Sequence, residues 1–243
     1  MSRAAFNIQE RIRRSVERLL RSKMSAELKH TSKLLAASPT YTMGIIHAHQ
    51  IRVYQMLLPF YEQAFLRSAK EFDSAVRKAS PSFNGRNESA GAAYKRMANE
   101  WASKRSQEIS EYTQKRVGKV IADGVADGLS YDDIGRQVKE RMGGSVSASR
   151  ALTIARTESH SALQSGSLET AKLSGVIGKK QWVSTRDGRE RDSHSEANGQ
   201  VVGIDEPFIV GDSELDFPGD PSGPPEEVIN CRCVVQYILE DED

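Results

Sequence analysis

Cys231 and Cys233, separated by Arg232, are the only cysteines of the 243-residue chain. Two thiolates one residue apart both reach one soft metal ion such as zinc when His194 or a carboxylate completes the shell. Structural zinc usually shows two spaced ligand pairs, so a four-ligand shell here would draw on Asp187, Asp192 or water. In a strand, positions 231 and 233 face the same way, and two small apolar thiols pack well in a core. Packing is therefore the expected role, with no resident cofactor, and zinc on His194, Cys231 and Cys233 is the alternative. A disulfide between them is sterically strained, and two cysteines cannot staple a secreted fold.

Two further clusters hold chemistry-bearing types. Arg156-Thr157-Glu158-Ser159-His160 places Arg156 and His160 on one helical face, with Glu158 turned away. Glu158 and His160 could serve as acid and base, but no nucleophile elbow and no phosphate-cradling glycine loop accompanies them. Arg156 and Glu158 are expected to be structural ion-pair partners for the acidic module, anchoring its helix to the loops. The run from Asp187 to His194 is dense in polar groups, as turns are by default. The expectation is a protein that is not an enzyme; an enzyme gathering Glu158, Asp187 and His194 is the remote alternative.

The elements that must carry these residues are of two kinds. Apolar positions at helical spacing run from Phe6 to Leu28, with Ile8, Ile12, Val16, Leu19, Leu20 and Met24 on one side. A second helical run goes from Tyr41 toward Lys78, with Pro59 expected to kink or divide it. Ser80 to Gly91 reads as a loop, Tyr94 to Ala126 as a third helix, and Ser130 caps a short fourth one ended by Gly143 and Gly144. Ser147 is the expected cap of a fifth helix reaching Gly175. Beyond Gly178 the pattern becomes strand-like: a run around Trp182, then Val201 to Ile204 after Asn198-Gly199, Phe208 to Val210, and Val234 to Leu239. Gly211 to Pro225 reads as a surface loop.

The fold class expected is α+β: long N-terminal helices over residues 1–128, followed by a small C-terminal α+β module over 129–243 with a short antiparallel sheet, long loops and an acidic tail. No apolar run is long enough for a membrane span, and the basic N-terminus lacks the apolar core of a secretory signal. Net charge is +1, yet 30 of the 34 Lys and Arg lie at or before Lys180, against 17 of the 33 Asp and Glu. Such a split suits a basic part to an anionic partner and an acidic part to a different one. Phosphate contact through Arg11, Arg14, Arg18 and Arg21 would be sequence-independent, since no helix-turn-helix or zinc-finger signature is present.

The ordered motifs of the second half resemble the phage Mu F-like minor head protein family, also called phage head-morphogenesis proteins. They are Ala155-Arg156-Thr157-Glu158, Lys180-Gln181-Trp182, Asp187 with Arg189, Arg191 and His194, Asn198-Gly199, Glu206-Pro207-Phe208, Pro218-Gly219-Asp220-Pro221, and Glu226 through Asn230-Cys231-Arg232-Cys233. The resemblance is clear over about residues 129–239, and upstream only in helical character. It implies structural roles for Arg156, Glu158, Trp182, Asp187, Arg191, His194, Asn230, Cys231 and Cys233. It also implies a minor structural component of a tailed-bacteriophage head, made in the host bacterial cytoplasm and located in the virion. Expected partners are the portal protein and capsid proteins, with packaged double-stranded DNA as an alternative partner and ejection with the DNA as an accompanying expectation. Some relatives have cysteines where this chain has Arg191 and His194, a pattern that looks like zinc binding. Others continue into a toxin or nuclease domain, which a chain ending soon after Leu239 is not expected to carry.

Overall fold

A computed structural model describes residues 3–38, 42–79, 90–186 and 188–239. Asp187, positions 80–89 of the expected loop and the acidic tail from 240 lie outside the described residues. Five helices come first: α1 (Arg3–Ala37), α2 (Thr42–Ala79), α3 (Ala90–Ala126), α4 (Tyr131–Met142) and α5 (Gly144–Ser174). There follow β1 (Ile177–Val183), α6 (Asp192–Glu196), β2 (Val201–Gly203), β3 (Phe208–Val210), β4 (Ser213–Leu215), α7 (Pro225–Val228) and β5 (Val234–Leu239). The α+β class and the order of helices before strands are as the sequence patterns lead one to expect. No helix among the described residues is long and apolar enough to cross a membrane.

The chain divides into two compact units: 17–61 with 97–155, and 1–16 with 62–96 and 156–243. The first is helical. Its core joins Leu35 of α1, Ile45 and Ile46 of α2, Val117 and Val120 of α3, and Val138 and Met142 of α4. A Cβ at Gly135 would run into the carbonyl oxygen of Ala36, so a glycine is what allows α4 to lie directly on α1. Below this core Glu27 is buried among Thr31, His49 and Arg52, accepting hydrogen bonds from Thr31 Oγ1 (2.8 Å) and Arg52 Nε (2.9 Å) and facing His49 Nδ1 at 2.8 Å.

In the second unit β1 is the central strand of an antiparallel sheet of order β2-β1-β5, and β3 and β4 form a separate hairpin. Phe72 and Val76 of α2, Ala171 of α5 and Ile177 of β1 make a core against which Ile204, Tyr237 and Leu239 pack. Small residues let α5 approach α2. Ser68 Oγ donates to the carbonyl of Leu163 at 2.7 Å and lies 2.8 Å from Ser167 Oγ, and a Cβ on Gly166 would meet Phe65 Cα at 3.1 Å.

Four expectations need correction. α2 runs through Pro59 without division; the proline is on the exposed side, and buried Val53, Leu57, Phe60 and Tyr61 keep the helix together around the lost hydrogen bond. Leu19, placed on the apolar face of α1, is exposed, whereas Leu20, Met24, Leu28 and Leu35 are buried. Ser147 does not cap α5: the helix starts at Gly144, whose φ of +58° turns the chain out of α4, and the Ser147 hydroxyl donates back to the carbonyl of Met142. Gly211 to Pro225 is only in part a surface loop: Gly211, Asp212 and Ser222 are exposed, but the segment contains β4 and its residues Leu215, Phe217 and Asp220 are buried.

Candidate functional site

The residues singled out from the sequence fall in the second unit, and several of them converge at one end of its sheet. Trp182 is completely buried in β1 between the ring of His194 and that of Phe208, each at 5.4 Å and edge-to-face. This wedge fixes one face of the His194 imidazole. His194 itself belongs to the single-turn helix α6, which starts after Arg191 in extended conformation. The Arg191 guanidinium reaches across to donate to the carbonyl of Ile229, tying the start of α6 to the segment that precedes the cysteines.

That segment is bent by Asn230, whose φ of +59° is a left-handed value that Asn tolerates better than most residues. Its backbone N–H donates to Thr157 Oγ1 on α5 at 3.2 Å. The bend turns both Cys231 and Cys233 inward. They lie just ahead of β5, which covers the strand-like run expected from Val234 to Leu239, and both are buried and free of any disulfide. Cys233 Sγ is 3.4 Å and Cys231 Sγ 3.7 Å from the same nitrogen, Nδ1 of His194.

The other ring nitrogen is also engaged. His194 Nε2 is 2.9 Å from Oε2 of Glu227, an ion-pair separation in which the oxygen lies off the line of the ring N–H. The same carboxylate oxygen accepts from Ser193 Oγ at 2.9 Å, so α6 grips Glu227 of α7 through two consecutive residues. Glu227 is part of the acidic run before the cysteines, and its role is not legible there because α7 is only four residues long and has no periodicity to read.

The two thiols are not equivalent. The hydrogen bond from Cys231 holds Cys233 below the ordinary thiol range against the opposing effect of burial, with His194 helping, while burial pushes Cys231 up. Among the described residues, His194, Cys231 and Cys233 are the group of His, Cys, Asp and Glu donors close enough to share an ion, all three atoms lying within 4.8 Å of one another. Two sulfurs and one imidazole nitrogen are donors for a soft or borderline cation. Glu158 is outside this group, buried on α5, and Arg156 is half-buried on the same helix; each has interaction partners.

The loop over Pro218-Gly219-Asp220 is a second fixed structure. The buried Asp220 carboxylate accepts from the backbone N–H groups of Asp216 (2.8 Å) and Ser222 (2.9 Å) and from Ser222 Oγ (2.7 Å). The Asp216 carbonyl in turn accepts from the ammonium of the fully buried Lys180 at 2.8 Å, and that ammonium sits 5.1 Å from the Phe208 ring centroid. The sequence marks Lys180 only as a residue entering the strand. A lysine between a tryptophan-containing strand and a glycine-proline loop gives no burial signal of its own.

Comparison with known proteins places these motifs. The family described as Phage Mu protein F like protein matches residues 115–236. NAD(+)--arginine ADP-ribosyltransferase EFV of Enterococcus faecalis is 31% identical over 147 residues, covering 59% of this chain and 30% of that protein. An uncharacterized protein YqbB of Bacillus subtilis is 29% identical over 59% of this chain and 48% of its own length. Minor head protein GP7 of Bacillus phage SPP1 is 29% identical over 52% of this chain and 41% of its own length. The chain thus spans between about a quarter and a half of the length of the curated relatives it matches. No solved structure matches it.

Proposed function

The chain belongs to the Phage Mu protein F like family, and on that premise we propose that it is a minor structural protein of a tailed-bacteriophage head, acting in head morphogenesis. The observation that carries this reading is that the matched stretch contains the fixed structure just described: the buried Trp182, the Asn230 bend with its inward cysteines, and the Asp220 loop. The name of the SPP1 relative, a minor head protein, supports the same reading. In it the module over 129–243 is an interaction domain, and the helices over 1–128 contact the portal protein or capsid proteins on the interior side of the head. Assembly takes place in the host bacterial cytoplasm, and the protein is carried into the virion.

The ADP-ribosyltransferase name belongs to a protein of which the aligned stretch is 30%. A non-enzymatic role is supported here by the burial of the reactive groups: Cys231, Cys233, His194 and Glu158 are each 2% exposed or less, leaving a substrate no approach to them. The test of the proposal is co-expression with the portal protein followed by size-exclusion chromatography with mass determination at low and high salt. A complex that survives high salt and nuclease treatment is the expected result. A chain that migrates alone under every condition, and does not co-sediment with procapsids, would remove the proposal.

The charge distribution favours a second reading, sequence-independent binding of packaged double-stranded DNA. Arg18 and Arg21 of α1 are exposed, as is Arg14, whereas the side chain of Arg11 lies outside the described residues. Neutralising Arg18 and Arg21 should then weaken DNA affinity and flatten its dependence on salt, because each phosphate contact releases a counterion. Affinity that does not fall as salt rises would argue against DNA contact.

A further inference from the structure

We infer that the second unit holds one thiophilic divalent cation, Zn2+, bound by Cys231 Sγ, Cys233 Sγ and Nδ1 of His194, with Glu227 as the outer carboxylate that orients the imidazole. The inference is independent of the head-protein reading. Its first support is convergence: both sulfurs lie within 3.7 Å of the same ring nitrogen, and all three donor atoms fit within 4.8 Å. A Cys-His pair built for nucleophilic attack needs one sulfur on the imidazole and an open approach to it. Here two sulfurs share one nitrogen, and Cys231, Cys233 and His194 are each 1% exposed. One imidazole nitrogen has a single lone pair or a single proton, so it cannot satisfy two thiols at once. One metal ion satisfies all three donors.

The second support is the tautomer. A carboxylate 2.9 Å from Nε2, though off the line of the ring N–H, electrostatically favours the ring proton on that nitrogen and so an Nδ1 lone pair facing the sulfurs. Histidines that ligate metals commonly give their other N–H to a carboxylate in this way, and the partner both sets ring orientation and raises ligand basicity. Ser193 Oγ holds the same Glu227 oxygen at 2.9 Å, while Trp182 stacks edge-on against the imidazole at 5.4 Å; the ring is therefore positioned from two sides before any ion arrives. The three protein donors supply three of the four tetrahedral positions of such an ion. Binding requires both sulfurs as thiolates, so any thiol proton present is released to solvent.

Placed here, the ion clasps α6, α7 and the Asn230 bend to the start of β5, elements too short to hold one another by burial alone. The experiment uses the full chain, purified without chelator and then titrated with Co2+ in place of zinc. Expected are about one zinc per chain by elemental analysis and, on cobalt loading, the thiolate-to-metal charge-transfer absorption and intense visible bands of a tetrahedral site. Cys231→Ser and Cys233→Ser should each lose the charge-transfer intensity of one sulfur. Glu227→Gln should keep the stoichiometry and lose roughly 10- to 100-fold in zinc affinity by chelator competition. A wild-type chain that retains its circular dichroism but shows no cobalt-thiolate absorption overturns the site. Equal zinc affinities for wild type and Glu227→Gln overturn the role of Glu227.

Discussion

Ser161 of α5 donates its hydroxyl to the carbonyl of Gly219 at 2.6 Å, and this bond fastens the Pro218-Gly219-Asp220 loop to the helix that carries Arg156 and Glu158. The loop comes so close that a Cβ at Gly219 would stand 2.8 Å from Cδ2 of His160. Gly219 also has φ of +82°, where an L-residue is strained whatever the space around it. Gly219→Ala is therefore opposed twice, by backbone conformation and by the imidazole. It should destabilise the second unit by about 1–3 kcal/mol, read as a lower urea midpoint with unchanged helix content. A midpoint equal to wild type would mean that the loop is not seated on α5.

Asp220 is the other anchor of this loop. Its buried carboxylate takes three hydrogen bonds, two of them from backbone N–H groups that would otherwise be left without partners. Asp220→Ala should cost about 2–4 kcal/mol, because it strands buried donors rather than merely deleting a bond. Asp220→Asn, which keeps an acceptor but places an amide against the same donors, should fall between wild type and the Ala variant. Thermal unfolding of the three proteins gives the order directly, and an Ala variant as stable as wild type would contradict it.

Much of this architecture was legible in the sequence, and the reasons for the exceptions are physical. Helical periodicity located α1 to α5 because long helices repeat their buried face many times, as at Leu20, Met24, Leu28 and Leu35. The cap at Ser130 was readable because its hydroxyl accepts from Asp133 N at 3.2 Å, a purely local bond. Local rules failed where distant contacts decide. Pro59 stays within α2 because tertiary burial outweighs propensity, and within Gly211 to Pro225 the residues Leu215, Phe217 and Asp220 are buried although the composition is that of a surface turn. His194, Cys231 and Cys233 were identifiable as a possible ligand set from their types alone. Glu227 was not, since its value comes from facing a histidine 33 positions earlier, which no spacing rule encodes.

Lys180 supplies a pH signature. Burial lowers its ammonium to a pKa of about 8, with the carboxylates of Asp216, Asp205 and Asp220 acting in the opposite direction. The unfolded chain has an ordinary lysine near 10.4, so between about pH 8 and pH 10 it binds more protons than the folded one, and stability contributed by this group rises with pH. Relative to Lys180→Met, which removes the titration, the wild type should gain about 2–3 kcal/mol across that interval. Chemical denaturation of both proteins at several pH values measures the difference. Curves that stay parallel from pH 7 to 10 would show that the ammonium is not desolvated as the structure has it.

Glu27 acts in the opposite sense and in the other unit. Burial by itself would raise its carboxyl, but hydrogen bonds from His49, Arg52 and Thr31 outweigh that and bring it down to about 2. In the unfolded chain the same group titrates near 4.3. A depressed folded pKa means that the stabilisation is complete above the unfolded value and is lost as pH falls from about 4.3 toward about 2, where the folded protein must at last take up the proton. The size of the effect is about 2–3 kcal/mol. Glu27→Gln keeps an acceptor for Arg52 and Thr31 but carries no charge, so it should be less stable than wild type at neutral pH and lose less on acidification. The two denaturation midpoints should converge by about pH 2, since the protonated Glu27 carboxyl and the uncharged amide of the variant then present similar groups to His49. A constant gap between the proteins down to that pH would place the stabilisation in packing rather than in the ion pair.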